Sequence, residues 1–458
     1  MKRMLLMSLA AAVLLAGCEE PYTPPTPGAQ KDDESQTAGA KVGQTLPSWS
    51  EGMLDIHFIN TTTGECTFLI FPDGTQMLVD AAGSINATGA VGSTTNTGIR
   101  SRWDPTKDPS FRAGKFIADY IKDCMVWTGN RKLDYVIDTH FHADHFGGYS
   151  SSLPVSDLSP AYRKQSLPEV LDLIPAGKLM DRGWPDYNYP FDMQKHYSTV
   201  KNYVAAVKWH VANRGLVAER FKAGSDDQVT LLSRPGDYPD FRFRNIAVNG
   251  EIWDGTEAGG AKATFPALSE IKVANPLSVG NADNCPEENH CTTVFKLSYG
   301  KFDFFHGGDA QYDGCSTFAW KDMETAVAKA AGAVDVMKAD HHGVTNTNGY
   351  GYVAKNGHVC EAMKYLNPRC WIINSWTDGH PRQPVYEGVC SYVPGADVFI
   401  TNSCSAMTSY KNWNRVKSSD GHIVVRVEKG GAHYSIYTLT DSDGKKTIKH
   451  IAGPYSSR

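Results

Sequence analysis

The sequence has little of several features that would place a protein in a specialised class. Ten cysteines among 458 residues are too few for a disulfide-built scaffold, and no internal repeat of fixed short period is visible. Positive charge is not in excess, since 45 Lys and Arg face 50 Asp and Glu. The resulting net charge of −5 provides no large positive field, so we expect no stable complex with nucleic acid.

Long apolar runs are missing too, except for a short one at the N-terminus. Residues 1–17 combine a basic start with an apolar stretch that is too short to cross a bilayer comfortably. The stretch ends in Leu15-Ala16-Gly17-Cys18, which resembles the lipobox of bacterial lipoproteins. The resemblance implies a signal peptide over residues 1–17 and lipidation of Cys18. Residues 18–46 are rich in Pro, Thr, Asp and Gly, so they are predicted to be a disordered tether.

The expected location follows from this N-terminus. Since no later segment is apolar enough to span a membrane, the protein should be lipid-anchored without crossing the bilayer. Glu19 and Glu20, directly after the anchor, are compatible with sorting to an outer membrane. We therefore expect a protein of the bacterial cell envelope that is periplasmic or exposed at the surface. The sequence does not indicate protein partners.

Glycine and aromatic residues are plentiful and favour a fold rich in β-sheet. The chain has 42 Gly, 21 Tyr and 10 Trp, and its apolar segments alternate between strand-like and helix-like patterns. Helices are predicted at residues 115–126, 195–214 and 323–331, and a short buried strand at 134–138. Strands and helices that follow one another in this way predict an α/β sandwich.

A cluster of histidines is the strongest chemical signal. His140, His142, Asp144 and His145 lie within six residues, between the predicted strand at 134–138 and a pair of glycines. Imidazoles and carboxylates are the ligands that zinc, iron and manganese prefer. Alternation along an extended turn places His140 and His142 on one side, and Asp144 and His145 can reach a second position nearby. The loop can therefore serve two metal ions.

This motif resembles the HxHxDH signature of the metallo-β-lactamase superfamily, and further residues extend the resemblance. Asp80 ends a predicted strand as the early structural Asp of the family does. Asp309, in HGGD, is similar to the metal-bridging Asp, and His341, in ADHHG, to the last metal-binding His. The resemblance implies an α/β fold of the αββα sandwich type and a metal-dependent hydrolase.

Three stretches are closest in texture to the hydrolase domain of bacterial competence DNA-uptake proteins. They are the HHG sequence after a predicted strand, the later Asp378-Gly379-His380-Pro381, and the stretch Asn289–Asp309. The resemblance covers residues 53–150 and 285–440. It implies one hydrolase domain over residues 47–458, with residues 151–284 as a large insertion beside the metal site that selects the substrate.

The sequence departs from the family in one respect. Most members carry a further metal-binding His in a GHTxGS-like string between the first motif and the bridging Asp, and no such string is present. His290 precedes the strand predicted at 293–297 and is the candidate replacement. If nothing replaces that ligand, one metal position is weaker or more solvated.

The resemblance also implies a mechanism built on two divalent ions. Zn²⁺ is expected first, with Mn²⁺ or Fe²⁺ as alternatives. One ion would take His140 and His142, the other Asp144, His145 and His341, and Asp309 would bridge them. Asp144 would also orient the attacking water or accept its proton. His342 and His380 are candidates for a general acid or a phosphate contact, and a supporting role next to the ligands is equally open for both.

Three functions remain open at this point. The first is hydrolysis of a phosphodiester or another phosphoester outside the cytoplasm. The second is hydrolysis of a lactone, carboxylic ester or thioester; β-lactams are not expected because zinc β-lactamases commonly use Cys where Asp309 would act. The third is a non-catalytic surface protein that keeps the fold and presents Trp184, Tyr187 and Tyr189 as a recognition face.

Overall fold

Two large β-sheets dominate the architecture. A computed structural model describes residues 40–83, 112–271, 284–313, 318–377, 379–442 and 444–458. These residues belong to one compact unit. In chain order the strands are β1 (Leu54–Phe58), β2 (Thr67–Ile70), β3 (Gln76–Val79), β4 (Leu133–Ile137), β5 (Ala176–Asp181), β6 (Val217–Arg220), β7 (Phe241–Val248), β8 (Glu251–Trp253), β9 (Ala261–Ala263), β10 (Val294–Tyr299), β11 (Phe302–His306), β12 (Val336–Lys338), β13 (Tyr352–Val353), β14 (Val359–Cys360), β15 (Cys370–Ile373), β16 (Asp397–Ile400), β17 (Val416–Ser419), β18 (His422–Val427), β19 (His433–Leu439) and β20 (Ile448–Ser456).

The helices of the described ranges lie mostly between strands. They are α1 (Ala113–Thr128), α2 (Ala143–Phe146), α3 (Ser166–Leu173), α4 (Met193–His196), α5 (Ser198–Arg214), α6 (Met323–Ala331), α7 (Ala362–Leu366) and α8 (Gln383–Tyr392). The first sheet has nine strands in the order β20-β19-β18-β1-β2-β3-β4-β5-β6. The second also has nine, in the order β17-β16-β15-β12-β11-β10-β7-β8-β9, and β13 and β14 form a separate hairpin.

The two sheets pack face to face. Phe58 of β1 meets Phe304 of β11 edge-on with ring centroids 6.0 Å apart, and one apolar cluster contains residues of both sheets. A second cluster joins the outer face of the first sheet to α1, α3 and α5. A third joins the outer face of the second sheet to α6, α7 and α8. The layers therefore run helix, sheet, sheet, helix, and the predicted αββα sandwich is confirmed.

The sequence of β1, LDIHF, shows how one strand serves two layers. Alternation directs Leu54, Ile56 and Phe58 into the cluster between the sheets. Asp55 therefore lies on the opposite, buried face, where a lone carboxylate would be costly. Its two oxygens accept hydrogen bonds from Nε and Nη2 of Arg426 at 2.8 and 2.7 Å, and this bidentate pair joins β1 to β18.

Several predicted elements are confirmed with small shifts at their ends. The helix predicted at 323–331 is α6 with the same ends, and the one at 115–126 is α1 with two residues added at each end. The helix predicted at 195–214 is divided into α4 and α5, and the buried strand at 134–138 is β4. Within the described ranges, every helix is too short or too polar to cross a membrane.

The tether predicted at residues 18–46 ends too late in the sequence, because its last residues belong to the folded domain. Residues 1–39, which include Cys18, lie outside the described residues. Gly43 N–H donates to the carbonyl of Ile448 at 2.8 Å, Thr45 pairs with Thr447, and Leu46 is buried. Residues 43–46 are thus a bonded part of the domain. A single leucine in a polar stretch carries no periodicity, so the sequence pattern did not reveal this contact.

Residues 151–284, which are predicted to be a large insertion beside the metal site, also contribute strands to both sheets. The segment supplies β5 and β6, which continue the parallel part of the first sheet, and β7, which pairs with β10 in the second. Tyr187, expected on an exposed face, is buried, and its hydroxyl donates to Asp181 at 2.8 Å. Which strands pair across such distances depends on tertiary contacts, so local pattern alone could not assign them.

Candidate metal centre

The candidate site lies where four strands end. β3 and β4 are parallel neighbours in the first sheet, and β11 and β12 are parallel neighbours in the second. Asp80, His140, Asp309 and His341 each follow one of these strands within three residues. Because loops after the carboxyl ends of neighbouring parallel strands converge, the sheet topology brings these four segments together.

Asp80 fixes the start of the histidine-rich loop. Its backbone is left-handed, with φ of 56°, and its carboxylate turns towards the loop after β4. Oδ1 accepts the N–H of Thr139 and Oδ2 the hydroxyl of Thr139, both at 2.8 Å. Oδ2 also lies 2.7 Å from Nδ1 of His145. The contact leaves Nε2 of His145 directed at Asp309, which is how a carboxylate orients a metal-binding imidazole.

Asp309 is the centre around which the imidazoles gather. Its Oδ2 lies 3.0 Å from Nε2 of His145, 3.5 Å from Nε2 of His342, and 3.7 Å from Nε2 of both His140 and His341. His142 completes the group, because its Nδ1 is 3.1 Å from Nε2 of His140.

The glycines before Asp309 allow this close approach. A Cβ on Gly307 would lie 1.9 Å from Oδ1 of Asp340. Gly308 has φ of +55°, and a Cβ there would lie 2.2 Å from Oγ1 of Thr292. That hydroxyl accepts the N–H of Asp309 at 3.3 Å. The turn after β11 therefore requires glycine at both positions.

His341 and His342 occupy different places in the cluster. Both have left-handed backbones, with φ of 43° and 56°, so their side chains diverge. His342 is buried, and its Nε2 is 3.5 Å from Asp144 Oδ2. Asp144, His145, Asp309 and His342 offer ligand atoms that all lie within 4.8 Å of one another. The sequence placed His341 in this set and His342 outside it; the structure groups His342 with it instead.

His341 lies at the edge of the same centre. Its side chain is 22% exposed, and Nδ2 of Asn289 is 3.3 Å from its Nδ1. Its Nε2 is 3.7 Å from Oδ2 of Asp309. Nε2 of His140 lies at the same distance from that oxygen, with His142 beside it.

The residue proposed to fill that gap lies apart from the cluster. His290 is buried, and its Nδ1 accepts the N–H of Glu287 at 3.1 Å. Its ring packs edge-on against Trp320, with centroids 6.1 Å apart. Burial lowers the pKa of His290 to about 3, so it is a neutral ring packed beside the site. Among the described residues, His290 does not belong to the group of ligand atoms that lie within 4.8 Å of one another around Asp309.

His380 lies behind the cluster. Its ring is 5.1 Å from that of His342 and packs edge-on against Trp376 at 4.3 Å. Burial lowers the pKa of His380 well below its usual range, and the charge on His342 adds to this effect. His380 therefore contacts a residue of the cluster and is uncharged at neutral pH.

Two buried charges beside the cluster carry no sequence signal. Lys338, the last residue of β12, places Nζ 3.0 Å from Oε1 of Glu65 and 3.5 Å from Oδ1 of Asp309. It also donates to the carbonyl of Gly308 at 2.6 Å. Glu65 Oε1 is 2.7 Å from Nδ1 of His342. Neither residue belongs to a short motif, so their roles follow from three-dimensional contacts alone.

The electrostatics of the cluster favour a cation. Burial disfavours protonated His145 and His342, but neighbouring carboxylates outweigh it. They hold the pKa of His145 well above its usual value and raise that of His342 to about 10. Burial likewise opposes ionisation of Asp309, yet these imidazoles hold the pKa of its carboxyl well below the usual range. The carboxylates that stabilise positive charge on these rings would equally stabilise a bound cation.

The residues present fit a metal ion by a second observation. Neither carboxylate oxygen of Asp309 accepts a hydrogen bond within the described residues, although the side chain is fully buried. Its charge faces the imidazoles and Nζ of Lys338 at 3.5 Å, and a buried carboxylate whose oxygens lack hydrogen bonds is suited to coordinating a cation. Imidazole nitrogens and carboxylate oxygens are suitable donors for zinc or manganese.

A cleft of about 330 Å³ opens beside His142. One wall is apolar and includes Phe191 and Tyr197, from the segment predicted to be an insertion. The other wall includes Glu287 and Asn289. The segment 151–284 therefore reaches the mouth of the metal centre as well as the sheets.

A buried ion pair fixes the cleft to the histidine loop. Arg182 donates from Nε to Oε1 of Glu288 at 2.6 Å, and its Nη2 also pairs with this carboxylate. The same Oε1 accepts the N–H of Phe141 at 2.7 Å, and the guanidinium lies 4.6 Å from the centre of the Phe141 ring. Since Phe141 stands between His140 and His142, this pair positions both histidines.

Comparison with known proteins gives distant structural similarities. No protein-family model matches the chain, and no curated protein matches it significantly. One similar solved structure is the metallo-β-lactamase fold protein YhfI from Bacillus subtilis. The two chains are 10% identical, the match covers 77% of this chain and 98% of YhfI, and the TM-score is 0.33. Another is Igni18, a metallo hydrolase from Ignicoccus hospitalis. It is 12% identical, the match covers 76% of this chain and 95% of Igni18, and the TM-score is 0.32.

A third similar structure is Zn²⁺-bound PqqB from Methylobacterium extorquens, with 12% identity, coverage of 73% and 85%, and a TM-score of 0.31.

Proposed function

We propose that this protein is a metal-dependent hydrolase whose active site is the centre around Asp309. The observation that carries the proposal is the fully buried carboxylate of Asp309, which accepts no hydrogen bond within the described residues and faces four imidazoles. Structural packing does not require such an arrangement, because a buried charge is normally satisfied by hydrogen bonds. A pair of divalent cations would satisfy it.

The geometry suggests how the ligands would be divided. Asp144, His145 and His342 would hold one ion, and His140, His142 and His341 the other, with Asp309 between the two sets. Zn²⁺ is the first choice for this donor set, with Mn²⁺ or Fe²⁺ as alternatives. The chemistry that such ions would supply is activation of water and polarisation of the group under attack.

The protein's own residues supply positioning and proton handling. The Asp144 side chain is 31% exposed, so it can face both the ligands and an incoming substrate and accept a proton there. Asn289 presents its amide next to His341 at the cleft, where it can donate to a substrate oxygen. His380, half-buried behind His342, is assigned a positioning role and not that of a general acid, because its ring contacts that of His342 and does not line the cleft.

The cleft suits a small ester better than a long polyanion. Arg182 neutralises Glu288, and burial raises the pKa of Glu287, so that wall is only weakly negative. The apolar wall of Phe191 and Tyr197 suits an aromatic or aliphatic group. Together with the net charge of −5, this supports a small phosphodiester or other phosphoester over long nucleic acid.

The substrate proposal is tested by turnover of bis-p-nitrophenyl phosphate with added Zn²⁺ or Mn²⁺. We expect turnover by the natural chain and loss of it in Asp309→Asn. Activity equal to that of Asp309→Asn would contradict the proposal. Cleavage of an acyl-lactone or a thioester without phosphodiester turnover would favour the second function. Less than one metal equivalent after reconstitution, with no activity on any of these substrates, would favour a binding protein.

We further propose that the enzyme acts in the bacterial cell envelope, anchored through lipid on Cys18. The support is the Leu15-Ala16-Gly17-Cys18 sequence after a short apolar stretch. Fractionation of cells that produce the natural chain and Cys18→Ala tests this. The natural chain should accompany the membranes and Cys18→Ala should not, whereas equal distribution of the two would contradict the anchor.

A further inference from the structure

A second group of metal-ligand side chains lies apart from the candidate centre. Asp322, His358 and Cys360 offer one ligand atom each, and these atoms all lie within 4.8 Å of one another. Nε2 of His358 is 2.7 Å from Oδ2 of Asp322. The three residues come from two elements that are separate in sequence, the N-terminus of α6 and the hairpin of β13 and β14.

Asp322 uses one carboxylate oxygen as a helix cap and directs the other at His358. It precedes α6, where its Oδ1 accepts the N–H of Thr325 at 2.9 Å and caps the helix. The cap holds the carboxylate in place and directs Oδ2 towards the hairpin. A carboxylate fixed through one oxygen is a well-oriented ligand through the other.

His358 and Cys360 lie on the same side of the hairpin. They are two residues apart, so alternation along β14 directs both side chains to one face. Val359, between them, faces the opposite side and is 39% exposed. The thiol is buried, whereas the His358 side chain is 35% exposed. The group therefore has a buried floor and one side open to solvent.

The local charge around the thiol is negative. Burial raises the pKa of the Cys360 thiol, and the carboxylates of Asp322 and Glu324 raise it further. These surroundings do not suit a nucleophilic cysteine, which needs a positive neighbour to stabilise the thiolate. They do suit a cation, which would neutralise the carboxylates and the thiolate together.

We propose that Asp322, His358 and Cys360 form a binding site for a divalent metal ion of the zinc class. Carboxylate oxygen, imidazole nitrogen and thiolate sulfur are all zinc ligands, and the open side leaves the fourth tetrahedral position to water. On binding, the thiol proton of Cys360 is released to solvent and the sulfur coordinates as thiolate. This site shares no residue with the candidate centre, and its proposal does not depend on the hydrolase function proposed above.

Such an ion would fasten the hairpin to α6. Two contacts already join these regions, since Glu361 N–H donates to Oγ1 of Thr325 at 2.8 Å and Gly349 N–H to Oε2 of Glu324 at 3.0 Å. The hairpin belongs to the segment that follows His341 and His342. A bound ion would therefore stabilise a segment that follows two residues of the candidate centre in the chain.

Cobalt substitution tests this site separately from the candidate centre. Full-length protein is freed of metal with a chelator under reducing conditions and titrated with Co²⁺ alone. A thiolate ligand gives an intense near-ultraviolet charge-transfer band, and the candidate centre has no sulfur donor. We expect this band in the natural chain and in Cys390→Ser, a buried thiol on α8, and its loss in Cys360→Ser.

His358→Gln provides a second variant that should fold, because the side chain is partly exposed. We expect it to weaken the Co²⁺ affinity read from the charge-transfer band by about tenfold or more. Bound zinc should also fall by one equivalent relative to the natural chain. The proposal is overturned if the natural chain shows no thiolate band, if the band survives in Cys360→Ser, or if peptide mapping finds Cys360 in a disulfide.

Discussion

At the residue scale, His341 and His342 occupy different positions in the metal centre and have different proposed roles. The sequence motif ADHHG offers two adjacent histidines, and nothing in its pattern says which one faces the ligands. The answer depends on two successive left-handed backbone conformations, which are rare for residues other than glycine and are imposed by the surrounding fold. The result is a buried His342 beside Asp144 and a partly exposed His341 beside Asn289.

Replacing these two histidines separately should therefore have different consequences. His342→Gln removes a buried ligand, and we expect it to lower hydrolysis by more than about 100-fold and to lose one metal equivalent. His341→Gln removes the more exposed ligand, so the second ion should bind more weakly and be recovered by excess metal.

Rates measured against metal concentration, together with elemental analysis, check this prediction. His433→Gln, whose side chain is 40% exposed at the start of β19, is the control. Complete recovery of His342→Gln by excess metal would show that the two residues had been assigned the wrong way round.

Asp80 leads to a second prediction at this scale. It contacts no proposed ion but fixes His145 through a 2.7 Å contact, so Asp80→Asn should weaken metal binding by about 10- to 100-fold. Competition with a chelator measures the affinity. Asp119→Asn, at an exposed ion pair on α1, should leave it unchanged. Equal affinities in the two variants would mean that Asp80 serves folding alone.

At the element scale, the site depends on where four strands end. The sequence located β3, β4 and the HGGD turn after β11 because each carries a recognisable pattern. It did not locate β5 and β6 or the pairing of β7 with β10, because these strands lie in a segment whose local pattern does not reveal its partners. Glu65 and Lys338 were missed for a similar reason: they meet across the two sheets and share no motif.

The turn after β11 makes a prediction about shape. A methyl group at position 307 would overlap Oδ1 of Asp340, so Gly307→Ala should lower the free energy of unfolding by about 1–3 kcal/mol and displace Asp309. Gly236→Ala, where no atom lies within 4 Å, is the matched control. Denaturant unfolding measures both. A neutral effect at position 307 would mean that the turn is more adaptable than its geometry indicates.

At the scale of the whole molecule, stability also depends on a buried charge pair on the outer face of the first sheet. The Asp55–Arg426 pair joins β1 to β18, and breaking a buried pair leaves an unpaired charge. We expect Asp55→Asn to lower the free energy of unfolding by about 3–5 kcal/mol. Asp119→Asn, at an exposed pair, should change it by about 0–1 kcal/mol.

The same pair predicts an effect of pH. Burial opposes ionisation of Asp55, but Arg426 outweighs it and lowers the pKa of the carboxyl from 3.8 to about 2. The folded state therefore binds the proton less readily than the unfolded chain. The stabilisation is present above the unfolded pKa and is lost as pH falls through this interval. Denaturant unfolding of the natural chain should show this loss and Asp55→Asn should show less of it; identical slopes would contradict the assignment.

The central claim is that Asp309 stands between two divalent ions. Crystals of zinc-loaded protein, with anomalous diffraction recorded at the zinc absorption edge, test it most directly. The prediction is one peak among Asp144, His145 and His342, and a second among His140, His142 and His341, on either side of the Asp309 carboxylate. Zinc-loaded crystals without an anomalous peak at Asp309 would contradict the claim.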